Sequence, residues 1–133
     1  MPLSIRSSAD MARMLASPID VDLHRLLALR RDQLLEYDGY DLGDLVHIVI
    51  AQPGDTLDAI ERAAGVALST NLVDGTRYGD PDFTASFEFV QLHPGGIYEA
   101  VIVLSDDGFG LALFVPDGPD IDATLLTLFR DQA

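Results

Sequence analysis

The 133-residue chain has no cysteine, no lysine and no tryptophan. Without cysteine there is no disulfide framework, no thiolate zinc site and no cysteine nucleophile. Without lysine, arginine is the only strong side-chain cation, and 8 arginines face 22 acidic residues for a formal net charge of −14. Charge of that sign repels nucleic-acid phosphates and anionic membranes over a Debye length, about 8–10 Å at physiological salt. Direct nucleic-acid binding is therefore not expected, whereas a basic protein partner is compatible. Long apolar runs are missing too: none exceeds five residues, against the roughly 20 that a membrane-spanning helix needs. Residues 1–10 hold one positive charge and no apolar segment of signal-peptide length. The expectation is a soluble, cytoplasmic protein.

What is present suits a single domain over residues 1–133. Hydrophobic residues make up 48% of the chain, and a chain of this size can bury one core without disulfides or metal. Aspartates outnumber glutamates by 18 to 4, which supplies the short carboxylates that turns and helix caps use.

The strongest local pattern is Phe83–Pro116. Three apolar runs, Ala85–Leu92, Ile97–Ser105 and Phe109–Val115, are separated by His93-Pro94-Gly95-Gly96 and Asp106-Asp107-Gly108. This predicts a three-strand antiparallel meander. With two-residue loops at both turns, Pro94 faces Ile97 and Asp106 faces Phe109. One sheet face then carries Phe87, Phe89, Tyr98, Ala100, Ile102, Leu104, Leu111, Leu113 and Val115 as the core wall. The other carries Glu88, Val90, Leu92, Ile97, Glu99, Val101, Val103, Gly110, Ala112 and Phe114. That second face needs cover from the N-terminal helices or from a second copy of the chain. A one-residue bulge would exchange the faces.

Upstream, Ser8-Ala9-Asp10 opens a short helix with Met11, Met14 and Leu15 on one side. Ser17-Pro18-Ile19-Asp20 opens a longer one running to about Tyr37, with Ser17 as cap and Pro18 at its first position. Its stripe is Ile19, Leu23, Leu26, Leu27 and Leu34, interrupted by Arg30 and Arg31, whose stems can cover apolar surface. Leu45–Ala51 reads as an interior strand. Asp55-Thr56 opens a middle helix to about Ala64, with Leu57, Ile60 and Ala64 inward and Gly65 as terminator. Asn71–Val73 is a candidate short strand, and Asp74–Asp82 a loop. Ile121–Arg130 carries a C-terminal helical stripe of Ile121, Leu125, Leu128 and Phe129. The expected class is α+β: an antiparallel sheet built on the meander (about 85–115) plus a strand near 45–51, with N-terminal, middle and C-terminal helices.

Signals for chemistry are sparse. His24, His47 and His93 share no metal-ligand spacing, and no nucleophile elbow, zinc-binding helix or phosphate loop is present. No catalytic residue, metal ligand or cofactor is assigned. The three aspartates of Asp74–Asp82 read as turn residues rather than as a cation site. The candidate ligand cleft is His47, His93, Tyr98 and Glu99, with His93 facing Tyr98 across the first hairpin. The candidate interaction face is Glu88, Val101 and Phe114.

Val49–Val66, with its Pro53-Gly54-Asp55-Thr56-Leu57 run and Ile60, resembles the first half of a LysM domain, a βααβ module. The resemblance implies binding of N-acetylglucosamine-containing glycans through Gly54–Thr56. It covers about 18 residues, and the Leu and Asn spacing of that family's second helix is not recognisable in Ala67–Gly75. Strand, turn and capped helix account for the same run.

The functional expectation is a non-enzymatic protein-interaction or accessory domain, with a basic partner or a second copy of the chain. A small enzyme or ligand-binding domain with a cleft near His47 and His93 is the alternative. An acidic nucleic-acid mimic and the glycan reading come after it.

Overall fold

A computed structural model describes residues 1–34, 41–66, 68, 86–103 and 110–132, with the backbone alone for 86–89. The candidate strand Asn71–Val73, the loop Asp74–Asp82 and the second meander turn lie outside the described residues.

The short first helix, α1, spans Ser8–Ala16, and the Ser7 hydroxyl caps it by accepting from the Asp10 N–H at 3.0 Å. The second, α2 (Val21–Leu34), starts later than expected. Ser17 does not open it: that residue closes α1, its hydroxyl donating to the Met14 carbonyl at 2.6 Å. Asp20 supplies the cap instead, accepting from the N–H groups of Asp22 and Leu23 at 3.0 and 3.2 Å. A carboxylate at that position satisfies two of the free donors and complements the helix dipole.

α3 (Leu57–Ala64) follows the expected chemistry, with Thr56 as cap and Gly65 left-handed at φ 77° as terminator. α4 runs Ala123–Gln132. Asp122 caps it by accepting from Thr124 and Leu125, and the same carboxylate accepts from the Leu57 N–H at 3.1 Å. One aspartate therefore serves the N-termini of two helices. Those backbone donors, Leu57 first, hold its carboxyl below the ordinary aspartate value.

The sheet has five strands: β1 (Leu3–Ile5), β2 (Val46–Ile50), β3 (Ser86–His93), β4 (Ile97–Val103) and β5 (Gly110–Pro116). Their order is β1-β2-β5-β4-β3. The α+β class holds, but the sheet is mixed rather than wholly antiparallel. β2 lies parallel to β5, with Ile48 opposite Ala112 and Ile50 opposite Phe114. β1, only three residues long and without a strand signature of its own, pairs antiparallel with β2.

The meander forms with shifted registers. His93, not Pro94, faces Ile97, so the first loop is the three residues Pro94-Gly95-Gly96, with both glycines at positive φ. That one-residue shift exchanges the expected faces near the turn: Val90 now shares a face with Ala100. An irregularity between Phe87 and Phe89 then returns Phe87 to the level of Ile102. Between β4 and β5, Gly110 faces Val103, a shift of two residues from expectation that leaves the faces of β5 unchanged.

Each sheet face carries its own core. Val49, Tyr98, Ala100, Ile102, Leu111, Leu113 and Val115 pack with Ile60 of α3 and with Leu125, Leu126 and Phe129 of α4. On the other side Ile48, Ile50, Ile97, Ala112 and Phe114 pack with Met11 of α1 and with Leu23, Leu26 and Leu27 of α2. The N-terminal helices therefore cover the second face within one chain. Gly43, in the 3-10 turn Leu42–Asp44, lies against the Arg6 carbonyl where a Cβ would collide. No described helix is long and apolar enough to cross a membrane.

Candidate functional site

β4 brings a glutamate onto an otherwise apolar surface. Tyr98-Glu99-Ala100 alternates so that Tyr98 and Ala100 enter the α3/α4 core, while Glu99 points toward α2. Glu99 has no accessible surface. An unpaired carboxylate in that position would cost several kcal/mol, and the fold supplies two partners.

Arg30, two turns along α2 from the buried Leu23, grips the carboxylate with both sides of its fork. Its Nε donates to Oε2 at 2.7 Å and its Nη2 donates to Oε1. Nη1 donates to Gln33 Oε1 at 2.7 Å. Bidentate geometry makes this a strong, directional pair, and the Glu99 carboxylate raises the Arg30 guanidinium above its ordinary value. From the other side His93 Nε2 lies 2.8 Å from Glu99 Oε1. With the carboxylate accepting, the imidazole is the donor there. The shifted hairpin register makes this contact: it places His93 beside Ile97, on the same face as Glu99.

Next to the pair is a recess of about 240 Å³ between the end of α2 and the sheet. Leu34, Val46, Ile48, Val101 and Ala112 form its apolar walls, and Arg30, Gln33 and Glu99 its polar end. Arg30 lines the recess and its side chain retains 22% of its exposure, whereas the Glu99 side chain is fully buried.

Two members of the sequence-derived cleft meet here, Glu99 and His93. Tyr98 lies on the opposite face, its ring edge-on to Phe129 with centroids 6.4 Å apart. A one-residue offset in the hairpin separates it from His93. His47 is also on that opposite face: alternation along β2 groups it with Val49 and away from Ile48. It is 7% exposed, and its Nε2 finds no hydrogen-bond partner among the described residues. Burial first, then the charge of Arg6, pushes its pKa down to about 4. Of the candidate interaction face, Phe114 is fully buried beneath the N-terminal helices, Val101 is half-buried at the recess, and the Glu88 side chain lies outside the described residues.

Sequence reasoning missed Arg30 and Gln33. The available signal was a pair of misfits: an arginine on the apolar stripe of α2 and a glutamate amid the apolar residues of β4. Opposite charges at two core-facing positions imply each other. Among the described residues no three His, Asp or Glu side chains are placed to hold a metal ion. Comparison of the chain with protein-family models, with curated proteins and with solved structures gives no match.

Proposed function

We propose that the protein is a non-enzymatic interaction domain, and that the recess beside Arg30 and Glu99 receives an apolar anchor from a basic protein partner. The recess itself is the observation that supports this reading. At about 240 Å³ it falls below the roughly 300–1,000 Å³ of pockets that enclose a whole small-molecule ligand. It suits one inserted side chain, the arrangement that concentrates binding energy at protein interfaces. The polar network favours scaffolding over proton transfer. Glu99 is out of reach of solvent and is engaged through both oxygens, so its evident role is to aim Arg30. A net charge of −14 favours encounter with a basic partner and disfavours direct contact with nucleic acid.

Filling the recess tests this directly. Val101→Trp places a ring into the space, while Thr127→Arg on the exposed side of α4 is the control. Quantitative affinity capture with the three proteins should lose a specific partner for Val101→Trp alone. Retention of every partner by that variant, with its fold shown intact by circular dichroism, would refute the recess as the receptor. Concentration-dependent self-association abolished by Val101→Trp would identify a second copy of this chain as the partner.

A further inference from the structure

We infer that the group seated in the recess is an uncharged aromatic side chain, stacked on the Arg30 guanidinium. The inference rests on the reading of the recess as a partner's receptor and adds the chemistry of what enters it. Three observations select the ring. First, Arg30 is fixed within its own plane by Nε and Nη2 on Glu99 and by Nη1 on Gln33. Hydrogen bonds in the plane leave the guanidinium faces without a hydrogen-bond partner among the described residues, and a planar cation stacks on an aromatic face.

Second, the pair is electrically closed. The carboxylate behind Arg30 cancels its charge at short range, and the chain as a whole is strongly negative. An anionic group would gain little from Arg30 and would meet a repulsive background. A cationic group would be stripped of water against Leu34, Val46, Ile48, Val101 and Ala112, with no accessible carboxylate among the described residues of the recess to receive it. Third, the walls are aliphatic and the space is small, which suits one ring better than a flexible polar chain. The inserted residue therefore supplies apolar area and a π-face, while basic residues flanking it in the partner supply long-range attraction.

Amide chemical-shift titration of the intact protein tests the assignment with three defined probes: N-acetyl-tyrosinamide, N-acetyl-leucinamide and the carboxylate p-toluate. The expected result is perturbation of Ile48, Val101 and Ala112 by the tyrosine amide, with an affinity about fivefold above that of the leucine amide. Arg30→Lys keeps a cation opposite Glu99 but removes the plane, and should erase the difference between the two amides. Equal binding by the leucine amide would overturn the aromatic assignment while leaving the receptor reading intact. Tightest binding by p-toluate would overturn it in favour of an anion site. If no probe perturbs the recess the inference fails, and the effect of Val101→Trp on partner capture decides the receptor reading separately.

Discussion

Glu99→Gln removes one buried negative charge and leaves nearly every atom in place. In the wild-type protein Arg30 and His93 both donate to the carboxylate. In the variant the amide can still accept from Arg30, but the guanidinium keeps its charge without a counter-ion. Removing one member of a fully buried pair costs roughly 3–5 kcal/mol. The Arg30 side chain retains 22% exposure, so water relieves part of this, and we expect about 2–3 kcal/mol. For 133 residues, at about 2.1 cal/mol/K of unfolding entropy per residue, that corresponds to a fall in Tm of roughly 7–11 °C. The companion is the apolar double replacement Arg30→Met with Glu99→Leu, which removes both charges together. It should recover to within about 1 kcal/mol of the wild type, because both desolvation penalties vanish with the pair. Urea unfolding of the wild type, Arg30→Met, Glu99→Leu and the double variant closes the cycle. A Glu99→Gln cost below about 0.5 kcal/mol, or a coupling energy near zero, would refute the view that the pair is buried and mutually dependent.

Two further predictions concern stability. His47 has its folded pKa depressed to about 4 from 6.5, so the unfolded chain binds that proton more readily. Its contribution is fully present above pH 6.5 and is lost as pH falls toward 4, by at most about 3 kcal/mol. His47→Leu should flatten the slope of unfolding free energy between pH 6.5 and 4, and an unchanged slope in the variant would show that His47 does not titrate as a buried group. The Asp10, Asp41 and Asp122 carboxyls are held below 3.8, so their losses fall at lower pH and do not obscure that window. Asp122→Ala removes the α4 cap and the acceptor of the Leu57 N–H at the start of α3, which keeps its Thr56 cap, and should cost roughly 2 kcal/mol, about 1 for each helix end. Asp117→Ala, which removes an exposed pairing with Arg130, should cost less than about 0.5 kcal/mol, and equal effects in urea titrations would argue against the shared cap.

What was legible in the chain was its local chemistry. The apolar runs of the meander and its first glycine turn, the Thr56 cap and Gly65 stop of α3, and the inward faces of β4 and β5 all follow from short-range pattern. Three kinds of feature did not. The parallel pairing of β2 with β5 joins residues more than 60 positions apart, and no local signal encodes a partner at that distance. The first hairpin register turned on whether Pro94 belongs to the strand or to the loop, a difference of one residue that decided whether His93 meets Tyr98 or Glu99. The start of α2 turned on which of two capping residues, Ser17 or Asp20, was claimed by the preceding helix. The site suffered from the same distance problem: Arg30 and Glu99 are 69 residues apart, and each looks like a lone exception until the two are brought together.

The position of β5 between β2 and β4 also sets an order on the chain's life at the ribosome. β2 is made early, yet one of its two sheet neighbours is completed only at Pro116. Until then Ile48 and Ile50 lack Ala112 and Phe114 beside them, and α1 and α2 lack the Phe114 ring beneath them. Arg30 must likewise wait for Glu99. The N-terminal third of the protein thus emerges with its apolar stripe and its guanidinium uncovered. Its structure is completed by a strand made only after β3 and β4.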